Sequence, residues 1–109
     1  MKYDFSEIEK KLKKYLDKDR FVHTQGVMYT AAALAMAHDS DVEQARLAGL
    51  LHDCAKCISN KKKLKICRKH GIELSTFEKQ NPYLIHAKLG VHIAKEKYDI
   101  HDLGVLSAI

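Results

Sequence analysis

Apolar residues recur every three or four positions along most of the chain, which is the spacing of helices that bury one face. The first such segment covers about residues 6–16 and begins with Ser6 and Glu9 at the spacing of a capping box. Its apolar face consists of Phe5, Ile8, Leu12, Tyr15 and Leu16. We therefore predict a first amphipathic helix that starts at about Ser6.

The next stretch predicts a longer helix from about Arg20 to His38. Steps of three or four residues define the side of this helix that we expect to face inward: His23, Val27, Ala31 and Leu34. Five alanines between positions 31 and 37 make the helix slim, so a neighbouring helix can approach it closely. This interpretation puts the imidazole of His23 in the interior.

A third helix is predicted to start near Asp41, with Gln44 at the second position of a capping box. Its apolar stripe (Val42, Ala45, Ala48) ends at an inward-facing Leu51 or His52, and Asp53 follows directly. Burying this imidazole and carboxylate without partners would cost on the order of several kcal/mol. The pair is therefore expected either to be solvated or to meet a bound charge.

Cap and turn residues divide the rest of the chain into further helices. A helix over about residues 60–70 is expected to end at Gly71, and Ser75 with Glu78 predicts one short helical turn. Asn81 before Pro82 has the pattern of an N-cap followed by the first helical residue, so a helix from there to about residue 97 is predicted.

A last helical segment begins near Asp102 and is still apolar at Ile109. Because no glycine-rich linker or repeat divides the sequence, we predict one all-α domain over residues 1–109, a bundle of about five to six helices. The uncapped apolar end gives the expectation that the bundle is incomplete at its C-terminus.

The chain carries 19 Lys and Arg against 14 Asp and Glu, a formal charge of +5. Such a balance suits an anionic partner, although the lysine-rich stretch over residues 61–69 is interpreted first as a solvated helix face. No apolar run is long enough to span a bilayer, and the N-terminus lacks the pattern of a signal peptide. We expect a cytoplasmic protein without a membrane partner.

Three predicted helices offer metal-ligating groups to a common interior: His23 on the second, His52 and Asp53 at the end of the third, and His86 near the start of the helix opened by Asn81. Imidazole together with carboxylate suits iron, manganese, cobalt or zinc rather than calcium. A rival site is a structural Cys3His zinc site formed by Cys54, Cys57, Cys67 and His70.

Three segments in order and spacing carry a resemblance to a known family: Arg20-Phe-Val-His23, Leu47-Ala-Gly-Leu-Leu-His-Asp53-Cys-Ala-Lys56, and Asn81-Pro-Tyr-Leu-Ile-His86. The chain resembles the HD superfamily of metal-dependent phosphohydrolases. It is similar in particular to the bacterial symmetrical diadenosine-tetraphosphate hydrolases, the YqeK family. The resemblance extends over nearly the whole chain from Asp19 onward and implies an HD-domain helical bundle.

The resemblance also implies roles for individual residues. His23, His52 and Asp53 would bind one metal ion, and His86 would bind a second ion with Asp53 bridging the two. Lys56 and Arg20 would contact the substrate phosphates, and the catalytic groups would be Asp53 and Lys56. The implied cofactor is a pair of divalent ions, iron first, with manganese, cobalt or zinc as alternatives.

The implied reaction is hydrolysis of diadenosine tetraphosphate to two ADP by a metal-activated hydroxide. The expected partner is the dinucleoside polyphosphate, with no nucleic acid, and a homodimer stays open. Two alternative functions remain: a degenerate or incomplete HD bundle that binds nucleotide without turnover, and a basic helical module in which Lys61 to Lys69 contacts RNA.

Overall fold

The computed structural model describes residues 3–109 and confirms the all-α class. Within these residues the chain forms seven α-helices and one 3-10 turn; the short helix predicted at Ser75 is present, and the helix predicted from Asn81 is divided into the 3-10 turn and a following α-helix. The elements are α1 (Phe5–Tyr15), α2 (Lys18–Ala37), α3 (Val42–Leu51), α4 (Asn60–Lys69), α5 (Thr76–Gln80), the 3-10 turn (Pro82–Ile85), α6 (His86–Tyr98) and α7 (Leu103–Ala108). None of the helices described is long and apolar enough to cross a membrane.

Side-chain oxygens cap most of the helix N-termini, which fixes where those helices start. Asp4, Asp17, Asp41, Ser59, Ser75 and Asp102 each accept a hydrogen bond from the backbone N–H three residues later. The capping box of Ser75 and Glu78 is confirmed in both of its hydrogen bonds. The stop at Gly71 is confirmed as well, because this glycine has a φ of 67° directly after α4.

Three predicted caps are wrong in whole or in part. Asp4 rather than Ser6 caps α1, since its carboxylate accepts the Glu7 N–H. The side chain of Gln44 donates to Asp102, 3.0 Å away, and not back to Asp41. Asn81 makes no side-chain cap, and the residues after it form the 3-10 turn before α6 begins.

The inward face predicted for α2 is also wrong. The buried residues are Phe21, Thr24, Met28, Ala32 and Ala35. His23 and Leu34 are exposed, while Val27 and Ala31 are half-buried at the edge of the contact with α3. Apolar residues surround nearly the whole of α2, so their spacing alone does not select the side that packs.

The close contact between α2 and α3 organises the centre of the molecule. Gly49 of α3 lies against the backbone of α2, where an added Cβ would be 3.0 Å from Cα of Met28 and 3.1 Å from the carbonyl oxygen of Val27. The buried core continues from this contact through Leu12, Leu47, Leu50, Leu89 and Val105. The first turns of α2 and the C-terminal end of α3 are therefore held side by side.

Candidate metal centre

The end of α3 presents two polar side chains beside a buried apolar run. Leu50 and Leu51 are fully buried and anchor the last turn of the helix. The chain then bends, with the N–H of Cys54 donating to the carbonyl of Leu51 at 3.1 Å. His52 and Asp53 thus occupy a tight turn directly after a buried helix end.

The ring of His52 is oriented by the backbone. Its Nδ1 lies 2.7 Å from the carbonyl oxygen of Gly49. Because a carbonyl only accepts hydrogen bonds, Nδ1 carries the proton, and in the neutral ring Nε2 is left with a free lone pair. This arrangement is the usual one for a histidine that binds a metal through Nε2.

Asp53 is buried, with 8% of its side chain exposed, and three groups surround one of its oxygens. Oδ2 accepts a hydrogen bond from Nη1 of Arg20 at 3.1 Å. The same oxygen lies 3.2 Å from Nε2 of His52 and 3.7 Å from Nε2 of His23. A buried carboxylate here is compensated by a guanidinium on one side and faces two imidazoles on the other.

His23 comes to this corner from α2. The carboxylate of Asp17 accepts a hydrogen bond from the backbone N–H of Arg20 at 2.8 Å and caps the N-terminus of α2. His23 therefore lies in the second turn of this helix. About half of the His23 side chain is exposed, and its ring centroid is 5.6 Å from that of His52. One ligand atom from each of His23, His52 and Asp53 lies within 4.8 Å of the others.

The residues present fit a divalent cation. With neutral rings, Nε2 of His52 and Oδ2 of Asp53 are both acceptors, and 3.2 Å is too close for two lone pairs without a positive charge between them. A proton or a metal ion removes that repulsion. Two imidazoles with one carboxylate form a donor set that iron, manganese, cobalt and zinc accept.

His86 lies outside this group. Its Nδ1 is 3.0 Å from the carbonyl oxygen of Tyr83, so Nε2 of the neutral ring is free, as in His52. Over residues 3–109, however, His23, His52 and Asp53 form the single group of three or more potential ligands, and His86 is not among them. Of the four side chains expected to converge, three meet, and a metal-binding role for His86 stays a prediction.

Arg20 and Lys56 flank the corner in different ways. Arg20 contacts Asp53 directly and lines an open cleft of about 760 Å3 together with His23 and Asp17. Lys56 is exposed in the turn after α3, where its N–H donates to the carbonyl of Asp53 at 2.9 Å. Their assignment to substrate phosphates stays a prediction.

The rival zinc site does not assemble. Cys54 is buried and its thiol donates to the carbonyl of Gly90, whereas Cys57 is exposed and its thiol lies 3.5 Å from Asp17. Burial raises the pKa of Cys54 to about 12, which disfavours the thiolate that zinc requires. In the described part of the chain these cysteines and His70 form no ligand group; Cys54, Cys57 and His70 line one cavity, whereas Cys67 lines another.

Sequence reasoning missed the backbone partner that orients His52. Gly49 has two roles, since the absence of a side chain allows α2 to approach and its carbonyl accepts the Nδ1 proton. The glycine in Leu47-Ala-Gly-Leu-Leu-His-Asp53 was the available signal, because a glycine inside a helix is unfavourable unless close packing requires it.

A family model described as HD domain matches residues 20–109. The chain is 31% identical over 98 residues to the symmetrical bis(5'-nucleosyl)-tetraphosphatase of Bacillus subtilis, an alignment that covers 90% of this chain and 52% of that protein. The protein of the same name from Staphylococcus aureus is 32% identical over 99 residues, with 89% and 50% covered. The chain therefore spans about half the length of these curated relatives.

A crystal structure from Clostridium acetobutylicum, described as a predicted HD superfamily hydrolase involved in NAD metabolism, superposes with a TM-score of 0.91. The two chains are 38% identical, and the match covers 98% of this chain and 57% of the other. Sequence and fold thus agree over the region that carries His23, His52 and Asp53. The chain belongs to the HD domain family, and its similarity to the symmetrical bis(5'-nucleosyl)-tetraphosphatases confirms the resemblance carried by its motifs.

Proposed function

We propose that this chain is an HD-type phosphohydrolase that cleaves diadenosine tetraphosphate at its central phosphoanhydride to give two ADP. The observation that carries the proposal is the group of His23, His52 and Asp53, whose ligand atoms lie within 4.8 Å of one another. The names of the matched relatives support the choice of substrate.

The residues have distinct tasks in this proposal. The carbonyl of Gly49 holds His52 with Nε2 free, and Arg20 fixes one oxygen of Asp53. A divalent ion held by this group would supply Lewis acidity and a coordinated water of lowered pKa. Iron is the first choice for that ion, with manganese, cobalt and zinc accepted by the same donors. A second divalent ion, if bound, would be held by His86 together with Asp53.

The reaction adds one water to the substrate. The water oxygen forms a bond to one of the two central phosphorus atoms, and the bond from that phosphorus to the bridging oxygen breaks. The bridging oxygen leaves on the second ADP, and the protons of the water pass to product oxygens and solvent. Lys56, exposed one turn beyond His52, would offset the negative charge that grows on the leaving oxygens.

The test is an assay of the products formed from diadenosine tetraphosphate by the 109-residue chain loaded with iron(II) or manganese(II). We expect ADP alone, and we expect Asp53→Asn to lower the rate by about a hundredfold or more, because a metal ligand is lost. The matched control is Asp39→Asn, an exposed site just after the far end of the twenty-residue α2, where asparagine also tolerates the left-handed backbone. ADP formation at the unchanged rate in Asp53→Asn contradicts the proposal.

A further inference from the structure

A cavity of about 430 Å3 lies between α1, α4, α6 and the turn that joins α3 to α4. Ligand sites in proteins commonly have volumes of about 300–1,000 Å3, so this cavity is large enough for a small molecule. In the described part of the chain, none of the side chains expected to bind metal lines it, neither His23, His52 and Asp53 nor His86. The cavity is therefore separate from the candidate metal centre.

The walls of this cavity contain aliphatic and aromatic side chains from each surrounding element. Ile58, Ile66 and Ile93 contribute the aliphatic part, from the turn, α4 and α6 respectively. The aromatic part comes from Tyr15 at the end of α1 and Tyr98 at the end of α6. Walls of this composition suit a planar ring, because aromatic side chains pack favourably against other rings.

Tyr98 brings a polar group without a protein partner to the cavity. Only 8% of this residue is exposed, and within residues 3–109 its hydroxyl forms no hydrogen bond, although buried tyrosine hydroxyls usually have a partner. The fully enclosed side-chain atoms without a partner in this range are Oγ1 of Thr24 and Nε of Arg46, so the Tyr98 oxygen reaches the open space that the residue lines. Burial raises the pKa of Tyr98, which keeps the hydroxyl protonated and able to donate.

Positive charges outnumber negative charges around the cavity. Three lysines line it, Lys14, Lys62 and Lys97, whereas Glu96 is the one carboxylate among the lining residues that the structure describes. The ammonium of Lys97 lies 4.4 Å from the centroid of the Tyr15 ring, which places this charge beside an aromatic wall. A ligand that carries negative charge is therefore favoured over a neutral or cationic one.

Two neighbouring histidine rings add polar groups of either kind. His70 at the end of α4 and His92 of α6 both line the cavity, and their ring centroids are 4.4 Å apart. An imidazole nitrogen donates or accepts according to whether it carries a proton, so this pair can meet an oxygen or an N–H group. Apolar walls with a few convergent polar groups are the composition of a ligand site.

We propose that this cavity binds a small anion that carries a planar ring, with the ring between the apolar walls and the anionic group beside the lysines. The chemical class is that of a nucleoside monophosphate, whose flat base offers acceptors to the Tyr98 hydroxyl. The inference goes beyond the proposed function and does not rest on it, because the side chains expected to bind metal lie outside the cavity.

The test is titration calorimetry of the 109-residue chain with adenosine 5'-monophosphate in the presence of a chelator. Tyr98→Phe removes the hydroxyl alone, and we expect it to weaken binding by about fivefold or more. The matched control is Tyr29→Phe, an exposed residue of α2 outside the cavity, for which we expect less than about a twofold change. Equal losses in the two variants, or no loss in Tyr98→Phe, overturn the proposal.

A second pair of variants tests the charge. We expect Lys97→Met to weaken binding by about fivefold or more, because an ammonium beside the anion is lost. Lys95→Met is the matched control, since this exposed lysine belongs to the same last turn of α6 but does not line the cavity, and we expect less than about a twofold change. Loss in Lys95→Met equal to that in Lys97→Met would contradict the assignment of the anion to this cavity.

Two further ligands test the ring and the anionic group separately. Adenosine keeps the ring and inorganic phosphate keeps the charge, so we expect each to bind at least about tenfold more weakly than adenosine 5'-monophosphate. If either one binds as tightly as the nucleotide, the proposed ligand class is wrong.

Thermal unfolding separates ligand binding from a structural role. Tyr98→Phe should unfold at the temperature of the parent chain, because the hydroxyl has no hydrogen-bond partner within residues 3–109. A hydroxyl with a purely structural role would give a lower unfolding temperature and an unchanged affinity of the folded variant, and this result overturns the proposal.

Repeating the titration with manganese(II) distinguishes this cavity from the metal centre. We expect the affinity to change by less than about twofold. Binding that occurs only with manganese(II) would assign the nucleotide to the metal centre, so that this inference fails while the enzymatic proposal stands. If binding depends on Tyr98 while no ADP is formed from diadenosine tetraphosphate, the inference stands and the enzymatic proposal fails.

Discussion

His52 and His86 are held by the same local device but end in different surroundings. Each ring follows a helical turn and has its Nδ1 close to the carbonyl oxygen three residues earlier, at 2.7 Å from Gly49 and 3.0 Å from Tyr83. Nε2 of each neutral ring is therefore free for a metal. Within residues 3–109, His52 meets two further potential ligands and His86 belongs to no such group; local structure thus orients a histidine ring, while packing between helices brings potential ligands together.

The packing around the two histidines differs in kind. His52 lies at the end of α3, which presses against α2 through Gly49 and brings His23 and Asp53 within reach. His86 begins α6 after a 3-10 turn that packs against α4 and α5. In the described part of the chain, that side of the molecule supplies no residue to the group. The group at the end of α3 is thus assembled, whereas no comparable group forms around His86 in the part of the chain that the structure describes.

The largest difference between His52 and His86 is expected in their contributions to metal affinity. We expect His52→Ala to weaken binding of the first divalent ion by about a hundredfold or more, because Nε2 is one of three converging ligand atoms. We expect His86→Ala to change that first affinity by less than about threefold, since it lies outside the group. Competition titration against a chelator measures both. Equal losses would place His86 in the same site as His52.

The next largest effect is expected on the free energy of unfolding when the close contact between α2 and α3 is disturbed. Gly49→Ala forces a Cβ against the backbone of Met28 and Val27, and we expect it to lower the free energy of unfolding by about 1–3 kcal/mol. Gly26→Ala is the matched control, because nothing lies within 4 Å of its added Cβ and alanine favours the helix by up to about 1 kcal/mol. Urea unfolding gives both values. A Gly49→Ala chain as stable as the parent would show that close approach is not what assembles the site.

The smallest difference is expected in acid, between the start of α2 at Asp17 and the short helix α5 at Glu78. Hydrogen bonds from the backbone N–H of Arg20, and then from Cys57, lower the pKa of Asp17 below its ordinary value of 3.8. Hydrogen bonds from the Ser75 N–H and from Lys88 lower the pKa of Glu78 below 4.5. Each carboxylate therefore stabilises the fold above its ordinary pKa, and this contribution is lost as the pH falls through the lowered value.

Replacing Asp17 or Glu78 by its neutral amide tests whether each carboxylate stabilises the whole fold or only its own helix. In Asp17→Asn the urea midpoint should fall less steeply than in the parent chain between about pH 5 and about pH 2.5, because α2 belongs to the core. In Glu78→Gln the global midpoint should keep the parent slope, since α5 has five residues and buries none. If the urea midpoint depended less on pH in Glu78→Gln than in Asp17→Asn, this would show that α5 unfolds together with the α2–α3 pair.

Local signals in the sequence predicted much of the fold. The Ser75 capping box, the stop at Gly71 and the start of α7 at Asp102 all follow from interactions within four residues. The same short range explains the failures. At the start of α1, Asp4 rather than Ser6 accepts the capping hydrogen bond, and the spacing of Ser6 and Glu9 alone does not reveal this.

Long-range contacts account for what the sequence did not reveal. Which face of α2 is buried depends on where α3 packs against it. Because α2 is apolar nearly all round, the spacing of its apolar residues does not select that face. Lys63 belongs to a run of lysines expected to be solvated, yet only 4% of the residue is exposed.

The sequence by itself determined the helices, most of their caps and the types of residue that could bind a metal, because these depend on neighbours along the chain. The tertiary structure decided which of those residues meet. Ligand atoms on α2 and α3 lie within 4.8 Å of one another only because a glycine without a side chain lets two helices touch. A contact of that kind joins residues about twenty positions apart, and no local pattern specifies it.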